Sequence, residues 1–351
     1  MDLAMELSKD QQIWFDTIYD WYKSCKYNST SIVMSGFAGT GKTTILGKLV
    51  DSFHKDGFSV ACATFTGKAS IVLSQKINNY YNNYIGTIHG LIYKPVTDKD
   101  GMLSGFKRAK SIDFDVIIVD ECSMINKEIQ KDLLSFGVPV VFIGDSFQLP
   151  PISKDNFNIF EKTSYELKTI HRQAENSPII KLSMRIRNGE YIDYGIYGRG
   201  CAKMNWRDEK AQKALFNHNP NSNDIILCGM NKTRIAINNL MREKQNFNKP
   251  EPKKDDKIVC LQNNHSLGIM NGQLGFINDV KLFKDYAYII NMNFGNYDQK
   301  HFVYKDGFGK INQSEYFGVC TKQSTKGDLK KERFEKLDLF DFGYALSVHK
   351  S

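Results

Sequence analysis

Ser35-Gly36-Phe37-Ala38-Gly39-Thr40-Gly41-Lys42-Thr43-Thr44 carries the spacing G-x-x-x-x-G-K-T of a phosphate-binding loop. Gly36, Gly39 and Gly41 let the turn fold tightly enough for successive backbone N–H groups to converge on one anion. Lys42 then reaches the outer phosphates, and the Thr43 hydroxyl is placed to ligate Mg²⁺; Thr40 and Thr44 complete the nucleotide-binding set. Upstream, Ser31-Ile32-Val33-Met34 reads as a short buried strand. Downstream, Thr44 to Val50 opens a helix whose positive end faces the phosphates. The bland alternative, a glycine turn without function, would not need this strand and helix on either side.

At 351 residues and 41% hydrophobic content, the chain predicts two or more compact cores. Its net charge of +8, from 47 basic and 39 acidic side chains, suits a polyanion without demanding one. The seven cysteines (25, 62, 122, 201, 228, 260 and 320) never form a C-x-x-C pair, which argues against a disulfide framework or a structural zinc. No run of about 18 apolar residues occurs and the first residues carry no basic leader, so the expectation is a cytoplasmic protein without a membrane segment.

Ser8 followed by Gln11 opens an amphipathic run with Ile13, Trp14, Phe15, Ile18, Tyr19 and Trp21, the pattern of a capped helix. Gln11 or Gln12 can read an adenine edge, or be a solvated first-turn glutamine. Phe58 to Thr64 is a second buried strand leading into a helix at Thr66-Gly67-Lys68. Strand followed by helix, twice over, predicts a parallel sheet with ligands beyond the carboxyl ends of its strands. Lys68 is there a candidate for a nucleic-acid phosphate or an ordinary solvated lysine. Asp100-Gly101 signals a β-hairpin inserted between sheet strands, whose role as wedge, contact surface or decoration stays open.

Phe114 to Glu121 is an apolar strand delivering two carboxylates at its end. Asp120 can hold Mg²⁺, directly or through water, and Glu121 can act as general base on the attacking water. A further strand, Val138 to Ile143, leads into Gly144-Asp145-Ser146-Phe147-Gln148-Leu149-Pro150-Pro151. Gln148 can sense the γ-phosphate or merely brace its turn.

The blocks Gly36 to Thr43, Thr64 to Ser70, Asp120-Glu121-Cys122-Ser123-Met124 and Gly144 to Pro151 together resemble helicase superfamily 1, and within it the RecD-like and phage Dda-like 5′-to-3′ DNA helicases. Thr87-Ile88-His89 matches the place where that family touches the DNA strand, and the following hairpin resembles its strand-separating pin. Gln11 stands where the family keeps its adenine-reading glutamine. Leu167 to Gln173, with Ser177-Pro178 and Arg185-Ile186-Arg187, is similar to the fourth motif, which gives Arg172 a γ-phosphate contact; the residues alone allow a structural ion pair equally.

The resemblance implies an α/β fold with two RecA-like parallel-sheet motor domains. The first covers 1–151, with the hairpin at about 90–112. The second covers 152–351 and is incomplete at its end, with a small SH3-like β-barrel inserted at about 251–336. It further implies an ATP- and Mg²⁺-dependent DNA helicase of replication, repair or recombination, translocating on single-stranded DNA and opening forked duplex. Catalysis falls to Lys42, Glu121, Gln148 and Arg172, the metal to Thr43 and Asp120, and DNA grip to Lys68, Thr87 and His89. Expected partners are DNA, replication or single-strand-binding proteins and a complementing C-terminal fragment, with the chain a monomer in the cytoplasm, a host's if phage-encoded. Asp341 to Ser351 resembles the start of the family's fifth motif, and the later arginine motif has no counterpart. The alternative is therefore an ATP- and DNA-binding module with impaired hydrolysis. A P-loop kinase of small molecules would leave the hairpin and the barrel unexplained. The charge-dense stretch Lys326 to Lys336 reads first as a solvated face.

Overall fold

The structure, a computed structural model, describes residues 6–24, 31–77, 83–97, 103–151, 157–169, 177–217, 219, 224–261, 269, 271–294, 298–309 and 337–348. The chain divides into two compact units, Met1–Gln212 and Lys213–Ser351.

In the first unit, helix α1 (Lys9–Ser24) precedes β1 (Ser31–Gly36), α2 (Lys42–Lys55), β2 (Val60–Thr64), α3 (Gly67–Ser74), β3 (Tyr84–Thr87) and α4 (Ile88–Ile92). The hairpin β4 (Tyr93–Thr97) and β5 (Leu103–Arg108) follows, then β6 (Val116–Asp120), α5 (Lys127–Leu134), β7 (Val140–Gly144), β8 (Tyr165–Leu167) and α6 (Pro178–Arg187). A small hairpin, β9 (Gly195–Gly198) with β10 (Cys201–Lys203), closes the unit, and α7 (Glu209–Phe216) runs across its end.

Six strands make one all-parallel sheet in the order β3-β2-β6-β7-β1-β8. Its central strands are apolar on both faces, as a sheet covered by helices on both sides requires. The period of two splits them cleanly. Val60, Cys62, Val116, Ile118, Val141 and Ile143 pack with Trp14, Ile18, Leu46 and Leu49. Ala61, Ala63, Ile117, Val119, Val140 and Phe142 pack with Ile88, Ile92, Ile129 and Leu133 on the opposite face. The expected domain boundary at 151/152 falls inside this unit, because β8 adds to the sheet beside β1 and buries Leu167 completely.

The inserted hairpin pairs Tyr93 with Arg108 through Thr97 with Leu103, and its tip lies outside the described residues. Its base is tied down: the Ala109 N–H donates to the Ile92 carbonyl at 2.8 Å and the Tyr93 hydroxyl to Asp132 at 2.6 Å. Arg108 donates to the Ser135 hydroxyl and lies over the Phe136 ring.

The second unit begins with β11 (Ile226–Cys228) and α8 (Asn231–Glu243), and β11 pairs in parallel with the last strand, β17 (Ala345–Ser347). Between them lies an antiparallel sheet of five strands, β12 (Lys257–Cys260), β13 (Leu274–Lys284), β14 (Ala287–Asn293), β15 (Asp298–Tyr304) and β16 (Phe340–Phe342), ordered β15-β14-β13-β12-β16. A bridge from Val303 to Asp338 joins β15 to the segment entering β16, which draws the two edges of the sheet together at that point. Ile258, Ile277, Ile290, Met292, Phe340 and Phe342 fill its interior. The charge-dense stretch 326–336 lies outside the described residues. Among the described residues, no helix is long and apolar enough to cross a membrane.

Candidate active site

The phosphate loop follows the carboxyl end of β1, where the sheet offers room beyond its strands. Gly39 and Gly41 take φ of 86° and 85°, the left-handed region that glycine enters at little cost. The Thr40 hydroxyl donates to the Phe37 carbonyl at 2.8 Å, which tightens the turn, and no side chain caps α2. The Lys42 ammonium donates to the Gly36 and Phe37 carbonyls at 2.7 and 3.1 Å, so the loop itself holds the cation that would meet phosphate.

Gln11 lies against this loop. It forms a reciprocal capping box with Ser8: the Gln11 N–H donates to the Ser8 hydroxyl at 3.3 Å and the Ser8 N–H to Gln11 Oε1 at 3.0 Å. Its Nε2 donates to the Thr40 carbonyl at 3.0 Å. Gln11 is buried, whereas Gln12 is exposed and its side-chain amide donates to Asp16. The solvated first-turn reading therefore belongs to Gln12. Gln11 keeps one N–H and one lone pair of its amide for any further partner.

Asp120 ends β6 and is buried, and it accepts the Glu121 N–H at 2.9 Å. Burial, helped by the neighbouring Glu121 charge, pushes its carboxyl up to about 6 against the opposing pull of Lys42. Glu121 sits in the left-handed region at φ 54° and ψ 45°, a strain of roughly 1–2 kcal/mol for a residue with a Cβ. That conformation turns the chain from β6 into the one-turn helix Cys122–Met124. The Glu121 Oε2 is buried without a hydrogen-bond partner. An orphaned carboxylate oxygen is costly, and such a group is expected to serve a water or a ligand.

The turn after β7 completes the site. Gly144 is required by close approach, since a Cβ there would come within 2.9 Å of Cys122 Sγ and Phe160 Cζ. Gln148 Oε1 accepts the Ser123 hydroxyl at 2.9 Å, which links this turn to the strand end carrying Glu121. Asp145 accepts both guanidinium nitrogens of Arg187, Nη1 to Oδ1 at 2.8 Å and Nη2 to Oδ2 at 2.6 Å. Burial opposes its charge, but Arg187 and the Phe147 N–H outweigh burial and hold the carboxyl below the usual carboxylate range.

Thr87 ends β3, and Lys68 and His89 lie just beyond the ends of β2 and β3. Register places Thr64 beside Asp120 on one side and beside Thr87 on the other, so these residues stand one or two strands from the acidic pair. Lys68 is exposed on a helix capped by Thr66, whose hydroxyl accepts the Ala69 N–H. Thr87 caps α4, accepting the Gly90 N–H at 3.1 Å. His89 keeps an open edge but packs near the Phe65 and Tyr93 rings, and the lost solvation lowers its pKa. Arg172 lies outside the described residues.

The structure thus brings Gln11, Gly36 to Thr44, Asp120, Glu121 and Gln148 to one end of the sheet. Sequence reasoning did not single out Ser123 or Arg187 for a role. The only signal was the pair Arg185 and Arg187 at the end of a helix, with no indication of which one turns inward.

Residues 22–199 match a family model described as an AAA domain. The chain is 24% identical over 267 residues to the ATP-dependent RecD2 DNA helicase of Deinococcus radiodurans, covering 70% of this chain and 36% of that protein. It is 27% identical over 208 residues to the ATP-dependent DNA helicase dda of Enterobacteria phage T4, covering 56% of this chain and 46% of that protein. Among solved structures, the Pif1 helicase from Bacteroides in complex with ADP-AlF3 and ssDNA superposes with a TM-score of 0.51 at 20% identity, over 99% of this chain and 84% of that one. The chain spans less than half the length of these two curated relatives, and the structural likeness establishes a shared fold.

Proposed function

This chain belongs to the AAA domain family, in the RecD-like and Pif1-like group of superfamily 1 helicases, and from that premise we propose that it is an ATP-driven motor that moves along single-stranded DNA and opens forked duplex in the 5′-to-3′ direction. The observation that carries the reading is the pairing of a glycine-built phosphate cradle with the buried Asp120 and the orphaned Glu121 carboxylate.

The donor set fits a nucleotide and a hard cation. Backbone N–H groups of the Gly36–Thr44 turn and the start of α2 would take the phosphates, with Lys42 adding its positive charge. The Thr43 hydroxyl and, directly or through water, the Asp120 carboxylate would hold Mg²⁺, a cation that would neutralise charge developing on the phosphate oxygens. Such a cation would also favour the ionised form of Asp120 that burial disfavours. Glu121 is the group that holds and takes the proton of the attacking water, and Gln148, held by Ser123, orients near the outer phosphate. Arg172 would add charge there. Gln11 would read adenine with the part of its amide left open.

Lys68, Thr87 and His89 form the proposed grip on the DNA strand, and the anchored hairpin the proposed separating wedge. A motor of this kind works by closing and reopening a cleft between two α/β domains. The unit holding β11, α8 and β17 would supply the second, with its antiparallel insertion as the barrel subdomain.

ATP hydrolysis measured with and without single-stranded DNA, beside unwinding of forks tailed on either end, tests the proposal. DNA-stimulated hydrolysis that Lys42→Ala abolishes, with unwinding of 5′-tailed forks, supports it. Nucleotide and DNA binding without stimulated turnover would favour the binding-module reading, and turnover indifferent to DNA would exclude a motor.

A further inference from the structure

The side chain that ties most of the site together is Arg187. It is the last residue of α6, a helix none of whose residues is buried. Its guanidinium nevertheless turns inward and stays only 14% exposed, with both Asp145 oxygens bonded in fork geometry. It also sits in a corner between two aromatic rings, 4.6 Å from the Phe37 centroid and 5.1 Å from that of Phe147. Those rings are perpendicular and 5.8 Å apart. Phe37 belongs to the phosphate loop and Phe147 to the turn after β7, so one cation touches the nucleotide cradle, the Gln148 turn and α6 at once.

The surrounding bonds show what this contact restrains. Asp145 Oδ1 accepts the Phe147 N–H at 3.0 Å, and the Asp145 carbonyl accepts the Gln148 N–H at 3.0 Å. Ser146 adds two bonds, its N–H to the Ser35 hydroxyl and its own hydroxyl to Glu166. Phe147 and Gln148 are themselves exposed, so apolar packing does little to fix the turn that aims the Gln148 amide. A solvated ion pair would add little here. A forked pair on a carboxylate that is 1% exposed, wedged between rings from two separate loops, fixes direction as well as distance.

Resting on the proposed ATPase reading, we infer that Arg187 is a positioning residue for phosphoryl transfer: it latches α6 to the phosphate loop through Phe37 and to the Gln148 turn through Asp145, so that the Gln148 turn keeps one geometry against the phosphate loop during hydrolysis. The guanidinium itself does not touch the reacting atoms; it acts through Asp145 and the two rings.

Arg187→Lys keeps the charge but loses the fork and the planar face. Misplacement of a catalytic group by about 1 Å can cost 10²-fold, so turnover is expected to fall roughly 10- to 100-fold. KM for ATP should stay within about threefold, because the bonds that shape the phosphate loop and hold Lys42 do not involve Arg187, and the thermal midpoint within about 5 °C. The double variant Arg187→Met with Asp145→Asn removes charge and partner together; it should regain the wild-type midpoint without regaining turnover. Wild-type turnover in Arg187→Lys, or recovery of both stability and turnover in the double variant, would reduce the latch to an ordinary structural ion pair. If the unaltered chain does not hydrolyse ATP, the functional reading fails on its own. The latch is then read by hydrogen exchange of the Phe147 and Gln148 amides, where faster exchange in Arg187→Lys supports it and unchanged exchange overturns it.

Discussion

Gly41→Ala separates two reasons for a glycine at one position of the phosphate loop. The residue has φ +85°, so alanine there costs roughly 1–2 kcal/mol from backbone conformation alone. Its Cβ would also lie 2.3 Å from Gln11 Nε2, a distance no structure tolerates, and Gln11 would have to move. Movement breaks its bonds with the Thr40 carbonyl and the Ser8 N–H, both 3.0 Å, at about 0.5–1.5 kcal/mol each. The sum is a loss of about 2–5 kcal/mol from the first unit, or roughly 4–20 °C in its thermal midpoint. In a Gln11→Ala background the clash is gone and only the conformational part, about 1–2 kcal/mol, should remain. Urea unfolding of the four proteins of the cycle, followed by tryptophan fluorescence, reads the difference: Trp14 is fully buried on the same helix as Gln11 and reports on this core. A coupling of about 1–3 kcal/mol is expected. Additive costs would mean that Gln11 does not brace the loop, and the account of its buried amide would be wrong.

Glu121→Gln should keep ATP affinity while turnover falls roughly 10²- to 10⁴-fold, since the amide retains shape but cannot take a proton; stopped turnover with lost affinity would reassign Glu121 to binding. Asp120 titrates near 6 in the folded chain against 3.8 when unfolded, so the folded state holds the extra proton between those values and stability is lost as pH rises through them. Asp120→Asn, always neutral, should therefore gain up to about 3 kcal/mol over the unaltered chain at pH 8 in Mg²⁺-free buffer, with the gain vanishing near pH 4; a pH-independent difference would refute the burial argument. Affinity for single-stranded DNA, measured by fluorescence anisotropy across a salt series, should fall steeply with salt and vary little with sequence, because phosphate contacts dominate. Salt-independent or base-specific binding would count against a translocating motor.

The centre of the first sheet is legible because its strands are apolar runs that close on Gly36, Thr64, Asp120 or Gly144. β1, β2, β6 and β7 all announce themselves this way. β3 and β8 do not. β8 has three residues, and β3 contains Gly86, which exists to admit the Tyr84 side chain: a Cβ there would lie 2.6 Å from the Tyr84 hydroxyl. The same limit applies at the site. The capping box of Ser8 and Gln11 follows from a spacing of three residues, but the contact of Gln11 with Thr40 spans 29, and that of Arg187 with Asp145 spans 42. Local pattern carries the first kind of information and only the fold carries the second.

The second unit shows a different reason for illegibility. The buried residues of α8 are Arg234, Asn238, Met241 and Arg242, so the stripe that faces the protein is largely polar, against the usual amphipathic rule. Each polar group has a specific answer in the insertion or its exit. Arg234 meets Asp341 of β16 at 2.5 Å, and Arg242 meets Asp256, just before β12, at 2.9 Å. The Asn238 amide donates to the Phe342 carbonyl at 2.9 Å and accepts the Ala345 N–H at 2.7 Å, spanning the join between β16 and β17. Tyr344 extends the network through its hydroxyl to Asp256, Gln245 and the Lys257 N–H. A buried ionic stripe contributes little net stability over an apolar one, but a misregistered strand would leave charges unpaired at several kcal/mol each. The polar face of α8 therefore selects one register for β12, β16 and β17. The insertion is bonded to the α/β strand pair on both sides of its long excursion, so the two parts of this unit are built to move as one piece.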